Sequence, residues 1–467
     1  MKQFLLILAF LAGISQIHSQ ENLPTDYLSK EFHKGRREAF RNLMPANSVA
    51  VIFSYPERVF SKDVNYNYHA NPDMYYLAGY KEPDAVLLIF KEEQGTEKYN
   101  EVLFVRERNA TREMWTGRRL GVEGTKSKLG FTTVFNGKEF ANFAVDFKKF
   151  DKIIYDKIPT DIAASNNIDN LYSLVQSFKT KAEITKENEA SVDLFTNITN
   201  SLREIKTPEE LVLMRKTVKL SCIAHNEVMK AVGPDMSEND ADGIHAYVHR
   251  HYGAEDEGYP PIVGAGANGC ILHYNDNNAT KIDNQLLLMD VGSEYHGYSA
   301  DVTRTIPANG KFTEEQKAIY QIVYEAQEEV FKLCKEGTPI QDLNKRSREV
   351  VAAGLIKLGI ITDPKDARIY YPHGCSHFLG LDVHDKGNYM GTLKENMILT
   401  VEPGIYIPAN SKCDKKWWNI GVRIEDDILM KKDSYENLSE ESPRKWQDIE
   451  ALAKQKSTFN EMKFPKI

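Results

Sequence analysis

Nine residues of this chain combine polar chemistry with strand-like or apolar surroundings. They are His273 in CILHYN, Asp290 in LLLMDVG, Asp301 in YSADVTRT, and His373 and His377 in PHGCSHFLG. The others are His384 in LDVHD, Glu402 in LTVEPG, and Arg423 and Glu425 in VRIEDD. The stretch from Leu286 to Thr305 organises the set. Leu286 to Met289 reads as a buried strand, Gly292 to Gly297 as a tight turn, and Tyr298 to Thr305 as the returning strand. Antiparallel pairing would bring Asp290 and Asp301 side by side. Two ionised carboxylates that close repel, so one takes up a proton unless a divalent cation lies between them. Each residue alone has a plain structural reading. Asp290 and Asp301 could lie on the surface of a hairpin, and a lone histidine near an apolar run is usually a hydrogen-bonded core residue. Several acids at strand ends in one domain are harder to explain, because they are costly to bury without cations.

The donor set indicates what kind of cation. Asp290, Asp301, Glu402 and Glu425 carry four negative charges, which two divalent ions would balance. Four carboxylates with one histidine form an oxygen-rich set. Such a set favours Mn²⁺, admits Co²⁺, Fe²⁺ or Zn²⁺, and disfavours a thiolate-type structural zinc site. Two metals roughly 3.5–4 Å apart can hold a hydroxide and polarise a carbonyl, which is hydrolytic machinery. The remaining histidines and Arg423 are then free for substrate contact or for orienting the donors.

These residues need elements to hold them. Strands are expected at Ile262–Val263, Ile271–Tyr274, Leu286–Val291, Tyr298–Thr305, Met397–Val401 and Ile420–Leu429. Helices are marked by their starts. Thr207-Pro208-Glu209-Glu210 combines a cap, a first-turn proline and a capping box, and opens a helix to about Ala231. A second helix begins near Ser237. A third begins at Thr313, with Gln316 as its box partner and an end at Gly337, and a fourth covers Asp342 to Leu358. The first half differs in texture. The charged Glu21–Met44 stretch predicts a helix, and SVAVIFSY, AVLLIF and Glu101–Val105 predict strands of an α/β domain. The join between the two domains is placed near residue 200, giving domains 20–199 and 200–467. Trp115, close to Arg118 and Arg119, is the one contact-surface signal in the first domain.

Composition sets the bounds. A chain of 467 residues, 42% hydrophobic and 27% charged, is that of a globular protein, and its net charge of −8 argues against a nucleic-acid partner. Met1-Lys2, the apolar run Phe4–Ala12 and the small residues up to Ser19-Gln20 form a secretory signal pattern over residues 1–19. The run is too short to span a bilayer, so an exported protein, periplasmic or secreted and without a stable membrane anchor, is expected. Five widely spaced cysteines with no CxxC predict buried small hydrophobes rather than a disulfide framework.

The succession GANGCILHY, LLLMDVGSEYHGYSADVTRT, PHGCSHFLGLDVHD, LTVEPGIY and GVRIEDD resembles the pita-bread metallopeptidases. Within them it is most similar to the Xaa-Pro aminopeptidases (aminopeptidases P), and next to the Xaa-Pro dipeptidases (prolidases). NPDMYYLAGY and WTGRRLG also resemble that family's first domain. The resemblance implies an α+β protein, with an N-terminal creatinase-like α/β domain before a C-terminal pita-bread catalytic domain. It implies that Asp290, Asp301, His377, Glu402 and Glu425 hold two divalent metals, with Asp301 and Glu425 bridging. His273 and His384 would contact substrate and steady the tetrahedral intermediate. His373 would lie near the pocket for the second residue, and Arg423 beside Glu425. A metal-bound hydroxide would attack the bond before a proline at position two, with Glu402 as proton shuttle. The partners implied are peptides with N-terminal Xaa-Pro and further copies of the chain in a dimer or tetramer. One departure bears on substrate length. The loop DKGNYMGTLKENMIL after His384 contains no arginine, where prolidases carry one for the dipeptide's carboxylate; Lys386 and Lys394 are its only cations. The rival activities are prolidase and methionine aminopeptidase. Outside catalysis the rivals are a pita-bread binding module without metals and the metal-free creatinase type, against which the intact donor set argues.

Overall fold

The computed structural model describes residues 24–462. The expected export signal over residues 1–19 lies outside the described residues. The chain forms an α+β structure of two domains.

The first domain is built on a mixed five-stranded sheet. Its order is Val134–Asn136, Tyr99–Val105, Val86–Gln94, Ser48–Phe53, Lys152–Tyr155. The central strand Ser48–Phe53 is buried along its whole length, and its alternate residues enter two different cores. Ala50 and Ile52 join Leu87, Ile89 and Leu103 under the helices that contain Phe40, Met74 and Phe195. Val49, Val51 and Phe53 join Leu88, Val102 and Phe104 under the helix that contains Leu174 and Phe178. Successive side chains of a strand point to opposite faces, so a sheet covered on both sides needs unbroken apolar runs such as SVAVIF. The first core does not stop at the domain edge. It continues into Leu211, Met214, Tyr295, Leu379, Ile398 and Leu429 of the second domain.

In the second domain, helices cover one face of antiparallel strands. Helices Pro208–Ala231, Glu238–His251, Glu314–Phe331 and Ile340–Lys357 pack through Val228, Ile244, Val323 and Leu355 onto Leu287, Met289, Ile306 and Val422. The starts read from sequence hold. Thr207 with Glu210, Ser237 with Asp240, and Thr313 with Gln316 each form a reciprocal capping box. The third helix ends at Phe331, short of Gly337. Strand parity then sets the functional face. Leu287 and Met289 enter the helix-covered core, so Leu288 and Asp290 point the other way.

The strands depart from the expected pattern in three places. Ile271–Tyr274 is not a strand. The chain turns tightly at Asn268–Cys270 and leaves Ile271 exposed. The turn is pressed onto two strands, since a Cβ on Gly421 would lie 2.1 Å from Gly269 O and one on Gly264 would lie 2.8 Å from the Asn268 carbonyl carbon. Ile420–Leu429 is broken into Ile420–Arg423 and Asp426–Met430, with Glu425 between them in a single bridge to Thr303. The Leu286–Thr305 unit is also more elaborate than one hairpin. Asp290 pairs with Thr303, and a smaller hairpin, Ser293–Tyr295 against Tyr298–Ser299, projects between them. Its tip, His296-Gly297, has φ of 51° and 85°, the conformation a two-residue hairpin turn requires. Where the chain enters this hairpin, a Cβ on Gly292 would stand 1.8 Å from Ala300 O, so only glycine fits.

Candidate metal centre

All nine residues read from the sequence line one cavity of about 170 Å³, together with Leu272. Asp290 closes strand Leu286–Asp290, and Asp301 follows the small hairpin. His377 and His384 come from an irregular loop, while Glu402 follows strand Ile398–Val401. Arg423 ends its strand, and Glu425 sits at the break beyond it. His273 and His384 are exposed at the mouth, and the carboxylates lie deeper.

His377 is the hub. Its Nε2 lies 3.3 Å from Asp301 Oδ2, 3.7 Å from Glu402 Oε1 and 3.9 Å from Glu425 Oε1. Its Nδ1 lies 3.1 Å from Phe378 O, a group that can only accept. The proton therefore sits on Nδ1, and Nε2 is turned to the carboxylates, the arrangement of a metal-binding histidine. Asp301, His377 and Glu425 each offer a donor atom within 4.8 Å of the others.

The electrostatics show what this cluster lacks. Burial raises Asp301, and repulsion from Asp290 adds to it. Burial also pushes Glu402 up to about 7, with His377 and Arg423 opposing and Asp301 and Asp290 reinforcing the rise. Glu425 is driven well above the carboxylate range by burial and by its three acidic neighbours. His377 loses basicity to burial but gains more from Asp301, and rises to about 9. Hard, buried, mutually repelling donors converging on one imidazole nitrogen fit divalent cations, which would remove the repulsion.

Several residues that hold these donors were not marked in the sequence. The Tyr259 hydroxyl lies 2.5 Å from Asp290 Oδ1 and 2.7 Å from Asp301 Oδ1. Thr303 Oγ1 donates to Glu425 Oε2 at 2.6 Å and accepts from Arg423 Nε at 3.2 Å. Arg423 also donates to Asp290 Oδ2 at 2.6 Å and to the Tyr406 hydroxyl at 2.8 Å. That hydroxyl is 2.9 Å from His373 Nε2, and burial, then Arg423, lowers His373 to about 3, leaving it neutral. Tyr406 and Thr303 stood inside quoted motifs without an assigned part. Tyr259, in GYPPI, carries no periodic or spacing signal. Replacing Tyr259 with phenylalanine removes only the oxygen shared by the two aspartates. Affinity for a divalent cation is expected to fall about 10–100-fold, the usual cost of losing an outer hydrogen bond to a group that binds metal. Calorimetric metal titration checks this, and an unchanged affinity would refute it.

Other expectations are also settled. The loop lysines do not face the cavity. Lys386 Nζ bonds Asp73 Oδ2 at 2.6 Å, and Lys394 Nζ bonds Glu204 Oε1 at 2.6 Å. All five cysteines are free thiols; Cys222, Cys334 and Cys375 are buried as expected, whereas Cys270 and Cys413 are only partly buried. Cys375 packs behind the site against Phe378 and Leu399, where burial pushes its thiol up to about 12. Trp115 is exposed on helix Ala110–Thr116 and does not line the cavity. Among the described residues, no helix is long and apolar enough to cross a membrane.

Comparison with known proteins follows the same division of the chain. The model of metallopeptidase family M24 matches residues 212–432, and that of the aminopeptidase P N-terminal domain matches residues 33–155. The Xaa-Pro aminopeptidase of Escherichia coli (strain K12) is 36% identical over 437 residues, covering 91% of this chain and 98% of the relative. The structure of aminopeptidase P from E. coli with the inhibitor Pro-Leu superposes with a TM-score of 0.81 at 34% identity, covering 91% of this chain and 98% of that one. A Zn-substituted E. coli aminopeptidase P in complex with product matches equally, with a TM-score of 0.81 at 34% identity and the same coverage.

Proposed function

Because the chain belongs to metallopeptidase family M24 and carries the aminopeptidase P N-terminal domain before it, we propose that it releases the first residue from peptides with proline at position two. It is a metal-dependent aminopeptidase. The observation that carries the reading is the convergence of four carboxylates and His377 on one small cavity with histidines at its mouth.

In this reading Asp290, Asp301, His377, Glu402 and Glu425 would hold two divalent ions. Bound ions would activate water and polarise the scissile carbonyl. Tyr259, Thr303 and Arg423 keep the carboxylates aimed. His384 and His273, at the mouth, donate hydrogen bonds to the substrate carbonyl and to the oxyanion it becomes. The proline nitrogen has no hydrogen and must gain one as it leaves, and Glu402 delivers that proton. His373, held neutral beside Tyr406, borders the space for the proline ring. The oxygen-rich donor set favours Mn²⁺.

The peptide's length follows from the two lysines. Lys386 and Lys394 are already paired with buried carboxylates, so the 385–401 loop presents no free cation to a dipeptide's carboxylate. Chelated protein given Mn²⁺ is expected to cleave Xaa-Pro-Yaa and longer peptides at least about tenfold faster than an Xaa-Pro dipeptide, since a carboxylate left without a charged partner costs about 1.5–3 kcal/mol. Product analysis by mass spectrometry checks it, and cleavage confined to the dipeptide would make the enzyme a prolidase.

Three further readings accompany this one. The domain join is read near residue 200; helix Glu189–Arg203 runs through that point, so the break falls after the helix, just before the Thr207 cap. The chain is exported, which N-terminal sequencing of the mature protein would test by a start near Gln20. It assembles as a dimer or tetramer through its first domain, a reading supported by Val59, Phe60, Val64 and Tyr66, all exposed around one two-stranded hairpin. Sedimentation of a Phe60→Asp variant tests that assembly.

A further inference from the structure

Residues 377–386 carry His377 at one end and His384 near the other, with their rings 4.5 Å apart. The segment has no helix or strand and closes through Asp385 N–H to Phe378 O at 2.8 Å. Among the described residues, none hydrogen-bonds the His384 ring. Beyond its contact with the His377 ring, its placement is that of its backbone, and charge holds the backbone. Arg203, the last residue of helix Glu189–Arg203, donates to Asp385 Oδ1 at 2.5 Å and Asp382 Oδ2 at 2.6 Å. Lys206 donates to Asp385 Oδ2 at 2.8 Å. The loop wraps these groups at contact distance, since a Cβ on Gly380 would stand 2.1 Å from Asp385 Oδ2. The network ends in the other domain. Asp73, on the short helix Pro72–Ala78, accepts from Arg203 at 2.9 Å through one oxygen and from Lys386 at 2.6 Å through the other. Arg203, Lys206 and Lys386 balance Asp73, Asp382 and Asp385, and the side chains of Arg203, Lys206 and Asp385 are each 1% exposed.

We propose that Asp73 is a positioning residue: through Arg203 and Lys386, the first domain fixes the height of His384 over the catalytic cavity. This rests on the part given to His384 above. Without the Asp73 charge, three cations face two carboxylates in a buried cluster, which is strongly unfavourable. Lys386, the most exposed of the three at 21%, then keeps only the Thr199 hydroxyl at 3.1 Å, turns toward water and takes the backbone beside His384 with it. Displacements of about 1 Å in a reacting group cost on the order of 10²-fold in rate.

The test uses the full metal-loaded chain and five variants: Asp73→Asn, Lys386→Met, His384→Ala, and each of the first two combined with His384→Ala. Asp73→Asn is expected to lower kcat/KM about 10–30-fold, mostly through kcat, with two metals still bound. In the His384→Ala background the same change is expected to cost less than about twofold, because the group it positions is gone. An Asp73→Asn activity within about twofold of the parent, or an equal loss in both backgrounds, would overturn the proposal. If Asp73→Asn does not fold, Lys386→Met, with and without His384→Ala, decides by the same comparison. A His384→Ala variant with full activity would instead overturn the part given to His384 itself.

Discussion

Replacing Asp301 with asparagine is expected to remove peptidase activity by at least about 10³-fold, because on the proposed reading a ligand shared by two metals loses its charge while its shape remains. The substitution is nearly isosteric. The Tyr259 hydroxyl can still donate to the amide oxygen, and the Asp301 N–H still reaches Asp427 Oδ2 at 3.1 Å. The local fold therefore stays. What changes is the charge balance around His377, whose Nε2 lies 3.3 Å from Asp301 Oδ2. Three carboxylates no longer balance two divalent ions, and metal analysis is expected to find fewer than two ions per chain. Stability separates this effect from simple damage. In chelated protein the neutral replacement relieves the repulsion of Asp301 by Asp290, Glu402 and Glu425 but gives up its pairing with His377, and the chelated variant is expected to melt within a few degrees of the chelated parent. A variant that keeps two metals and activity, or that melts well below the parent when chelated, would contradict the assignment.

Removing the metals is expected to destabilise the protein, and the loss should grow with pH. A metal present at about 10³ times its dissociation constant contributes about 4 kcal/mol to the folded state. Without it the carboxyls must stay protonated. Glu402 rises from its ordinary value of 4.5 to about 7 in the folded chain. Below the ordinary value, neither the folded nor the unfolded chain is charged at this position, and stability is unaffected. Between the two values the unfolded chain releases a proton that the folded chain retains, so stability falls as pH rises. For Glu402 alone the loss is about 3 kcal/mol once pH passes 7, at about 1.4 kcal/mol per pH unit. Asp301 and Glu425 act in the same direction. Metals bind the deprotonated donors, so affinity climbs over the same interval. The gap in melting temperature between loaded and chelated protein is expected to widen from pH 5 to 7.5. Buried His225 and His245, whose pKa values are depressed by burial, act equally on both forms and cancel from the difference. Differential scanning calorimetry with and without chelator checks it. A gap that is constant across the interval would mean that these carboxyls do not load the metal.

The carboxylates that meet in the cavity, and Arg423 beside them, were legible in the sequence, whereas Tyr259 and Thr303 were not. Asp290, Asp301, Glu402 and Glu425 stood out because an acid at the end of an apolar run is rare and costly, whatever the fold. The helix starts were legible too, since a capping box such as Thr207 with Glu210 is a contact over three residues. The errors fell where a neighbouring chain segment overrode a local pattern. CILHY has the composition of a strand, but Gly264 and Gly421 let the preceding turn press against two strands and leave Ile271 outside. VRIEDD reads as one strand, but Thr303 draws Glu425 into a bridge and breaks it.

What the sequence determined by itself is therefore chemistry and parity. Side-chain type names the hard donors, and the period of two in Leu286–Asp290 turns Asp290 away from the face that buries Leu287 and Met289. The tertiary structure alone decided how those donors are held. Tyr259 is aimed at two aspartates 31 and 42 residues away, and Arg423 at Asp290 across 133 residues. The cluster behind His384 joins Asp73 to Arg203 across 130 residues and to Lys386 across 313. Local propensity reaches a few residues along the chain. Contacts at these separations exist only once distant segments have packed, within the second domain for Tyr259 and Arg423 and across the apolar core common to both domains for Asp73.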